Sequence, residues 1–118
     1  MRAIVIDSVN KKVYESTFTK GQALPFMQKV VDGYIERALT LEEGDDVYVD
    51  EEGLLKRKEN FFTVFGAGPF AGNGVVVGHN PKNGESTGAT IGLEELRSGV
   101  RFLSIEEVMA AIEAGEVL

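Results

Sequence analysis

Residues 60–81, NFFTVFGAGPFAGNGVVVGHNP, carry no formally charged side chain when the single His is taken as neutral, whereas charged residues make up 26% of the whole chain. Four of the seven Phe residues and five glycines lie in this stretch. Aromatic side chains therefore alternate with positions where the backbone can approach another group closely. We expect a buried part of the fold and a recognition surface to meet here.

The composition limits what kind of protein this chain is. Its 118 residues and 43% hydrophobic content fit one compact domain, residues 1–118, with its own core. The absence of Cys excludes disulfides and thiolate metal sites and fits a reducing compartment, so we expect a cytoplasmic protein. A net charge of −7 argues against direct nucleic-acid binding, which needs a basic surface. The uncharged stretch contains too many Gly, Asn and Pro residues for a membrane span, so we expect no membrane segment.

Local sequence patterns predict both strands and helices. Runs of β-branched and apolar residues predict strands over residues 2–8, 12–19, 34–41, 46–50, 74–78 and 86–91. Helical spacing and end signals predict helices over residues 25–32 and 93–98 and a last helix that begins with the capping box of Ser104 and Glu107 and stops at Gly115. Residues 54–59 are ambiguous between a helical turn and the exit from a strand.

These elements predict an α+β fold. Strands joined by short turns favour antiparallel pairing, so we predict an antiparallel sheet of about five to seven strands with two or three helices packed mainly on one face. In the second strand, alternation places Tyr14 and Phe18 together on the face expected to be buried. Gly33 suits the left-handed position after the first helix.

Two motifs point to nucleotide or metal sites but lack the necessary context. The sequence from Gly66 to Ala71 fits a loose dinucleotide-binding pattern, but no helix can follow through Gly72-Asn-Gly74, so a turned loop is favoured. The acidic residues between positions 42 and 52 lack EF-hand spacing; we interpret them as a solvated turn, with a DNA-mimicking face as the alternative. They are Glu42, Glu43, Asp45, Asp46, Asp50, Glu51 and Glu52. We predict no metal site and no cofactor.

The only imidazole, that of His79, has no partner placed beside it by any motif. Without a Cys, or a Ser or Asp at a recognised spacing, neither a catalytic triad nor a metal site follows. We interpret His79 as a hydrogen-bonded turn residue, and we predict that the protein is not an enzyme.

The segment FFTVFG is apolar on both sides if it is extended. Alternation puts Phe61 and Phe65 on one side and Phe62 and Val64 on the other. Core packing is the simplest explanation, but one side must be covered by a helix, a partner subunit or a ligand. With the apolar end at residues 117–118, Val-Leu, this surface predicts a homodimer.

Amide groups lie beside these aromatic residues. Asn60, Asn73 and Asn80 offer the few oriented hydrogen bonds that a planar, stacked ligand needs. Asn73 lies between Gly72 and Gly74, which indicates either a demanding backbone conformation or a directed hydrogen bond.

Several stretches resemble a known family. They are MQKVVDGYIE at residues 27–36, DVYVDEEGLL at 46–55, NFF at 60–62 and P-x-AGNGVVVG at 69–78. Together they resemble a family of small proteins of unknown function carried by phages, prophages and plasmids, domain of unknown function 3846. The similarity spans about residues 1–80, and Asp32 stands where the family usually has Gly. The resemblance implies a host-directed accessory role, because small acidic phage proteins without catalytic motifs are often counter-defence factors.

With this implication, we predict a non-enzymatic counter-defence protein, in the host cytoplasm, that sequesters a small nucleotide-type ligand. The alternatives are an acidic inhibitor or DNA mimic that binds a host defence protein, and a phage structural or housekeeping protein. The predicted ligand-binding residues are Asn60, Phe62, Phe65, Phe70, Asn73, His79, Asn80, Arg57 and Arg101. Tyr34 and Tyr48 are supporting aromatics, and the phosphates need a cation from the set Lys56, Arg57, Lys58, Arg97 and Arg101.

Overall fold

A computed structural model describes residues 1–56 and 58–116, which form nine strands, three α-helices and one 3₁₀ turn. In chain order the elements are β1 (Arg2–Asp7), β2 (Lys12–Thr17), α1 (Ala23–Val31), β3 (Ile35–Thr40), β4 (Asp46–Asp50), the 3₁₀ turn (Gly53–Leu55), β5 (Asn60–Val64), β6 (Ala67–Ala71), β7 (Gly74–His79), β8 (Ser86–Thr87), α2 (Leu93–Gly99), β9 (Val100–Ser104) and α3 (Ile105–Ala114).

The predicted α+β class with antiparallel strands is confirmed, and the strands divide between two sheets. The larger sheet has the order β2-β1-β7-β4-β3, with β8 paired to β7, and the smaller has the order β6-β5-β9. The uncharged stretch is what joins them. It supplies β5 and β6 to the smaller sheet, and after a turn at Gly72, whose φ is 79°, it supplies β7 to the centre of the larger one.

The two sheets pack face to face around the main core. Ile4, Ile6 and Val76 of the larger sheet meet Phe62 and Val64 of the smaller one. Leu96 of α2 joins this core and is fully buried. Side chains of both sheets therefore share one apolar interior, which fixes their relative position.

The helices α1 and α3 cover the two outer faces. Met27 and Val31 of α1 pack against Val75 and Val77 of the larger sheet. On the far side, Val108 of α3 belongs to a cluster with three residues of the smaller sheet, Phe61, Ala71 and Leu103. Helices thus lie on both outer faces rather than mainly on one, because each of the two stacked sheets leaves one apolar face that needs its own cover.

The same layering explains why the segment FFTVFG is apolar on both sides. Phe62 and Val64 face the larger sheet, and Phe61 faces α3. Of the surface from which a homodimer was predicted, Phe61, Phe62 and Val64 are therefore covered within the chain, whereas Phe65 is 53% exposed. Residues 117–118 lie outside the part described. The homodimer stays a prediction that this strand no longer supports.

The local predictions for β2 and α1 need correction. Val13, not Tyr14, is the buried residue of β2. Phe18 is buried as predicted, but it lies beyond the strand and stacks on Phe26, with 5.6 Å between ring centroids. Asp32, not Gly33, adopts the left-handed conformation after α1, with φ at 57°. Gly33 is needed for space, since a Cβ there would lie 2.7 Å from Asp50 Oδ1.

The C-terminal elements match the sequence signals more closely. In α3, the Ser104 hydroxyl accepts a hydrogen bond from the Glu107 amide, and the Glu107 carboxylate accepts one from the Ser104 amide, as the capping box predicts. Gly115 ends the helix with φ at 70°. The strand predicted over residues 86–91 pairs only at Ser86–Thr87, and no strand was predicted for β5, β6 or β9. None of the helices in the described ranges is long and apolar enough to cross a membrane.

Candidate functional site

Half of the residues of the uncharged stretch are buried. Phe62 is completely buried, and so are Val64 and the three valines of β7. The ring of Phe62 packs beside that of Phe70, with 5.5 Å between centroids, and Phe70 is half-buried. Phe62 is therefore a core residue that joins the two sheets, and a ligand on the surface does not reach it.

Asn73 uses its side chain inside the fold. Its Oδ1 accepts a hydrogen bond from the Ser8 amide at 3.0 Å, and its Nδ2 donates to the Val30 carbonyl at 3.3 Å. The Ser8 hydroxyl in turn donates to the Gly72 carbonyl. These bonds tie the turn between β6 and β7 to the end of β1 and to α1. The structure shows both features that the sequence offered as alternatives: Gly72 has a φ of 79°, and the Asn73 side chain makes directed hydrogen bonds to partners in the same chain.

The other predicted site residues do not converge on one place. Phe65, Phe70, His79 and Asn80 line four separate depressions of the surface. Asn60 begins β5 and pairs with Ser104, and the exposed Arg101 pairs with Thr63 farther along β9. Arg57 lies outside the residues that the structure describes, and the supporting aromatic Tyr34 is exposed between α1 and β3.

The predicted phosphate-binding cations are also dispersed. Lys56 contacts Asp50, with 2.7 Å between Nζ and Oδ2, and Arg97 contacts Glu94 and donates to the Val13 carbonyl. Lys58 lies near the glycine-rich turn, since a Cβ at Gly72 would be 3.5 Å from its Cε. Among the described cations of this set, Lys58 thus lies near the turn. The side-chain amide of Asn73 at this turn already makes hydrogen bonds within the protein.

His79 has a partner that no motif indicated. Its Nδ1 lies 2.8 Å from Oδ2 of Asp46, whose side chain is 1% exposed. The other carboxylate oxygen of Asp46 accepts a hydrogen bond from the Thr40 hydroxyl at 2.6 Å. The three side chains come from β7, β4 and β3, which are neighbours in the larger sheet, so only the strand order brings them together.

The acidic segment is not a solvated turn throughout. Asp45, Asp46 and Asp50 are buried, whereas Glu42 and Glu43 are exposed. The Asp45 carboxylate accepts hydrogen bonds from the backbone amides of Thr90 and Ile91 and from the Thr90 hydroxyl. Buried carboxylates persist when such bonds satisfy them. The prediction of a solvated turn is therefore wrong for these three aspartates, and the alternative of a DNA-mimicking face loses the same three charges.

Asp50 is held by contacts that favour its charged form. Burial raises its pKa, but the Lys56 ammonium, the Glu52 amide and the charge of Lys58 together hold the pKa below the ordinary value of 3.8. The contact with Asp50 raises the pKa of Lys56 above 10.5, although desolvation opposes it. The pair links β4 to the end of the 3₁₀ turn.

A groove of about 530 Å³ lies between the start of α1 and β8 and is the best candidate binding site. Its apolar floor includes Met27 of α1, Ile35 of β3 and Tyr48 of β4. Its rim carries the polar side chains of Lys20, Asn80, Glu85, Ser86 and Thr87. We call it the α1–β8 groove. Sites for small molecules have this combination of an apolar floor and a few polar groups.

Tyr48 is the aromatic side chain of this groove. Alternation along β4 turns it to the face opposite Val47 and Val49, which lie in the core between the sheets. Burial, and next the charge of Asp46, raise the pKa of the Tyr48 hydroxyl above its ordinary value of 10.0. The hydroxyl therefore stays protonated at neutral pH and is available as a hydrogen-bond donor.

The polar rim of the groove combines residues that sequence reasoning named and residues that it missed. Asn80 was predicted, and its side chain also accepts a hydrogen bond from the Lys82 amide at 2.9 Å. Lys20 was missed. It lies three residues before the first residue of α1, and the first turn of that helix has no acidic residue and no side-chain cap. This signal is present in the sequence, because a cation and an uncapped helix N-terminus both favour the binding of an anion.

Side chains of the types that bind metal ions are not clustered in the part of the chain that the structure describes. No three His, Cys, Asp or Glu side chains there are grouped so that they would hold a metal ion. The pair formed by His79 and Asp46 supplies two potential ligands at most, and Asp46 already bonds to Thr40.

Comparison with known proteins gives one match. A family model described as a domain of unknown function, DUF3846, matches residues 1–101. No curated protein and no solved structure shows significant similarity to the chain. The matched region ends in β9, so α3 lies beyond it.

Proposed function

Because the chain belongs to the DUF3846 family, a domain of unknown function, its function must be argued from its own geometry, and we propose that it sequesters a small nucleotide-type ligand in the α1–β8 groove. The observation that carries this proposal is that an aromatic ring, a carboxamide and a cation, those of Tyr48, Asn80 and Lys20, line one groove. Each of them suits a different part of a nucleotide.

The base fits the floor. The rings of nucleobases stack on aromatic side chains with favourable energy, and Tyr48 offers such a ring next to the apolar Ile35 and Met27. The polar edges of the base find a carboxamide in Asn80 and hydroxyls in Ser86 and Thr87. The volume of about 530 Å³ is within the range of small-molecule sites.

The phosphate fits the end of the groove at α1. Lys20 supplies a cation there, and the amides of Ala23 and Leu24, which begin α1, have no side-chain cap to occupy them. Glu85 is on the rim formed by the segment before β8, so the groove has a positive and a negative end. This polarity orients a ligand that carries its phosphate on one side only.

The proposal is of binding rather than catalysis. The side chains of the α1–β8 groove that titrate are Lys20, Tyr48 and Glu85. His79, the only imidazole of the chain, contacts Asp46 and does not line the groove. Retention of an intact nucleotide, without turnover, is what this set of side chains supports.

The biological part of the proposal comes from the family resemblance. A small acidic protein of a mobile element that removes a nucleotide signal would act against a host defence that depends on that signal. Native mass spectrometry of the protein purified from cells with active nucleotide-signalling immunity tests this step. A bound mass matching a nucleotide supports it, and a ligand-free protein from such cells contradicts it.

The groove itself is tested by isothermal titration calorimetry. Nucleoside mono- and diphosphates and cyclic mono- and dinucleotides serve as probes, with Lys20→Gln as the variant and Lys29→Gln, at the far end of the same helix, as its control. Loss of a charged hydrogen bond to phosphate predicts an affinity about tenfold lower for Lys20→Gln and nearly unchanged for Lys29→Gln. Equal effects of the two variants, or no binding of any probe at millimolar concentration, would overturn the proposal.

A further inference from the structure

The helix α3 has two apolar sides, and the residues that the structure describes cover only one of them. Val108 and Ala111 are buried against the smaller sheet. Ile105 is half-buried, whereas Met109 is 50% exposed and Ile112 is 63% exposed. Large apolar side chains of this exposure on one short helix are a feature of interaction surfaces.

The exposed Met109 and Ile112 form a stripe along the helix together with Ile105, which is half-buried and packs against the same cluster as Val108. At about 100° per residue, Ile105, Met109 and Ile112 fall within an arc of roughly 60°, and this arc lies about 100° around the helix from the buried Val108 and Ala111. The spacing i, i+4, i+7 is that with which an amphipathic helix contacts another helix. We call these three residues the α3 stripe.

The charged side chains of α3 all have one sign. Glu106 and Glu113 lie along one edge of it, by the same helical geometry, and Glu116 follows the end of the helix. No Lys or Arg follows Arg101 in the sequence. The stripe is therefore apolar with an acidic border and no cation of its own helix.

The helix dipole explains only some of these charges. Glu106 and Glu107 lie in the first turn, where negative charge is stabilising, and Glu107 also completes the capping box. Glu113 lies near the C-terminal end, where negative charge is unfavourable, and the last turn contains no basic residue. A positive group from another molecule would remove that cost.

We infer that the α3 stripe is a docking surface for a basic amphipathic helix of a partner protein, with apolar side chains on the stripe and Lys or Arg beside Glu106 and Glu113. A second copy of this chain fits less well, because two α3 stripes in contact would bring their glutamates together. The surface is separate from the α1–β8 groove, since α1 and α3 cover opposite outer faces of the two sheets. It also lies beyond residues 1–101, the part of the chain that the family model matches.

The test uses a defined probe and the full chain. A labelled peptide of about 14 residues, long enough to form a helix, carries Leu at the i, i+3, i+4 and i+7 positions and Lys elsewhere, and its twin carries Glu in place of Lys. Fluorescence anisotropy measures binding to the wild type and to Ile112→Ser, with Leu54→Ser as the control because Leu54 is exposed on the 3₁₀ turn. The second variant is a double one that combines Glu106→Gln and Glu113→Gln. Its charge-matched control is the double variant that combines Glu42→Gln and Glu43→Gln.

We expect the Lys peptide to bind and the Glu peptide not to bind. Ile112→Ser is expected to weaken binding of the Lys peptide about tenfold or more. The double variant at Glu106 and Glu113 is expected to weaken binding severalfold and to reduce its salt dependence. Both controls should keep an affinity within about twofold of the wild type. Equal effects of variants and controls, or equal binding of the two peptides, overturn the inference. So does a sedimentation experiment in which the wild type is a dimer and Ile112→Ser a monomer, because the stripe would then bind a second copy.

Discussion

The ring of Phe62 occupies the space in which Gly74 would carry a side chain. A Cβ at position 74 would lie 2.5 Å from Cζ of Phe62, well inside van der Waals contact. Phe62 belongs to the smaller sheet, and Gly74 begins the central strand of the larger one. This glycine therefore allows the two sheets to approach, and the close approach that the sequence suggested for a ligand is made by the protein's own aromatic ring.

Replacing Gly74 with Ala should destabilise the protein. The added methyl group has to displace a fully buried ring, and such overpacking costs about 1–3 kcal/mol. Urea unfolding measures the loss, and Gly88→Ala is the control, since a Cβ at Gly88 has no neighbour closer than 3.4 Å. Equal stability of the two variants would show that the packing of the sheets does not depend on this contact.

Asn73 gives the second prediction. Asn73→Ala removes hydrogen bonds to the Ser8 amide and the Val30 carbonyl, and leaving such groups without partners costs about 1–3 kcal/mol. Asn83→Ala is the control, because the Asn83 side chain accepts one bond from the Glu85 amide within an exposed turn. Thermal unfolding should separate the two variants, while the nucleotide affinity of folded Asn73→Ala should equal that of the wild type. A variant of full stability that fails to bind would return Asn73 to the binding site.

The elements that the sequence predicted well depend on neighbours in the chain. The capping box of Ser104 and Glu107 spans one helical turn, and the hairpin of β1 and β2 closes through a short turn. The short helix after Gly92 was also predicted, because its end signals lie within a few residues. Local chemistry decides each of these features, and one sequence is enough to show it.

The features that the sequence did not show depend on strand order. Asp46 and His79 are far apart in the chain and meet because β4 and β7 are adjacent in the larger sheet. The α1–β8 groove likewise joins Lys20 to Asn80 across the ends of separate elements. The register and order of antiparallel strands follow from packing of the whole fold, so no local motif placed these residues together.

Asp45 gives the third prediction, which tests the correction made to the acidic segment. Its carboxylate is 1% exposed and accepts bonds from two backbone amides, those of Thr90 and Ile91. Asp45→Asn keeps the shape but turns an NH₂ group toward amide donors, so we expect a loss of about 1.5–3 kcal/mol, the usual value for hydrogen bonds to charged groups. Chemical denaturation measures it, with the exposed Glu43→Gln as the control. A small and similar loss of stability in both variants would mean that Asp45 is solvated after all.

The pair of Asp50 and Lys56 predicts how stability depends on pH. The folded pKa of Asp50 is below 3.8, so the unfolded chain binds more protons near that value, and the contribution of Asp50 is present above pH 3.8 and is lost as pH falls through the folded pKa. The folded pKa of Lys56 is above 10.5, so its contribution is complete below pH 10.5 and is lost as pH rises through the folded value. Between these limits the pair contributes a constant amount.

Lys56→Met isolates this contribution, because it leaves the buried Asp50 carboxylate without its cation. We expect the variant to unfold at a lower urea concentration than the wild type at pH 7. The difference should shrink as the pH falls below 3.8 and through the folded pKa of Asp50, and again as the pH rises above 10.5 and through the folded pKa of Lys56 in the wild type. Lys82→Met, an exposed lysine in the turn after β7, should show no such dependence. A difference between Lys56→Met and the wild type that stays constant from pH 3 to pH 7 would mean that Lys56 acts through its hydrogen bond to the Asp32 carbonyl, which is independent of Asp50.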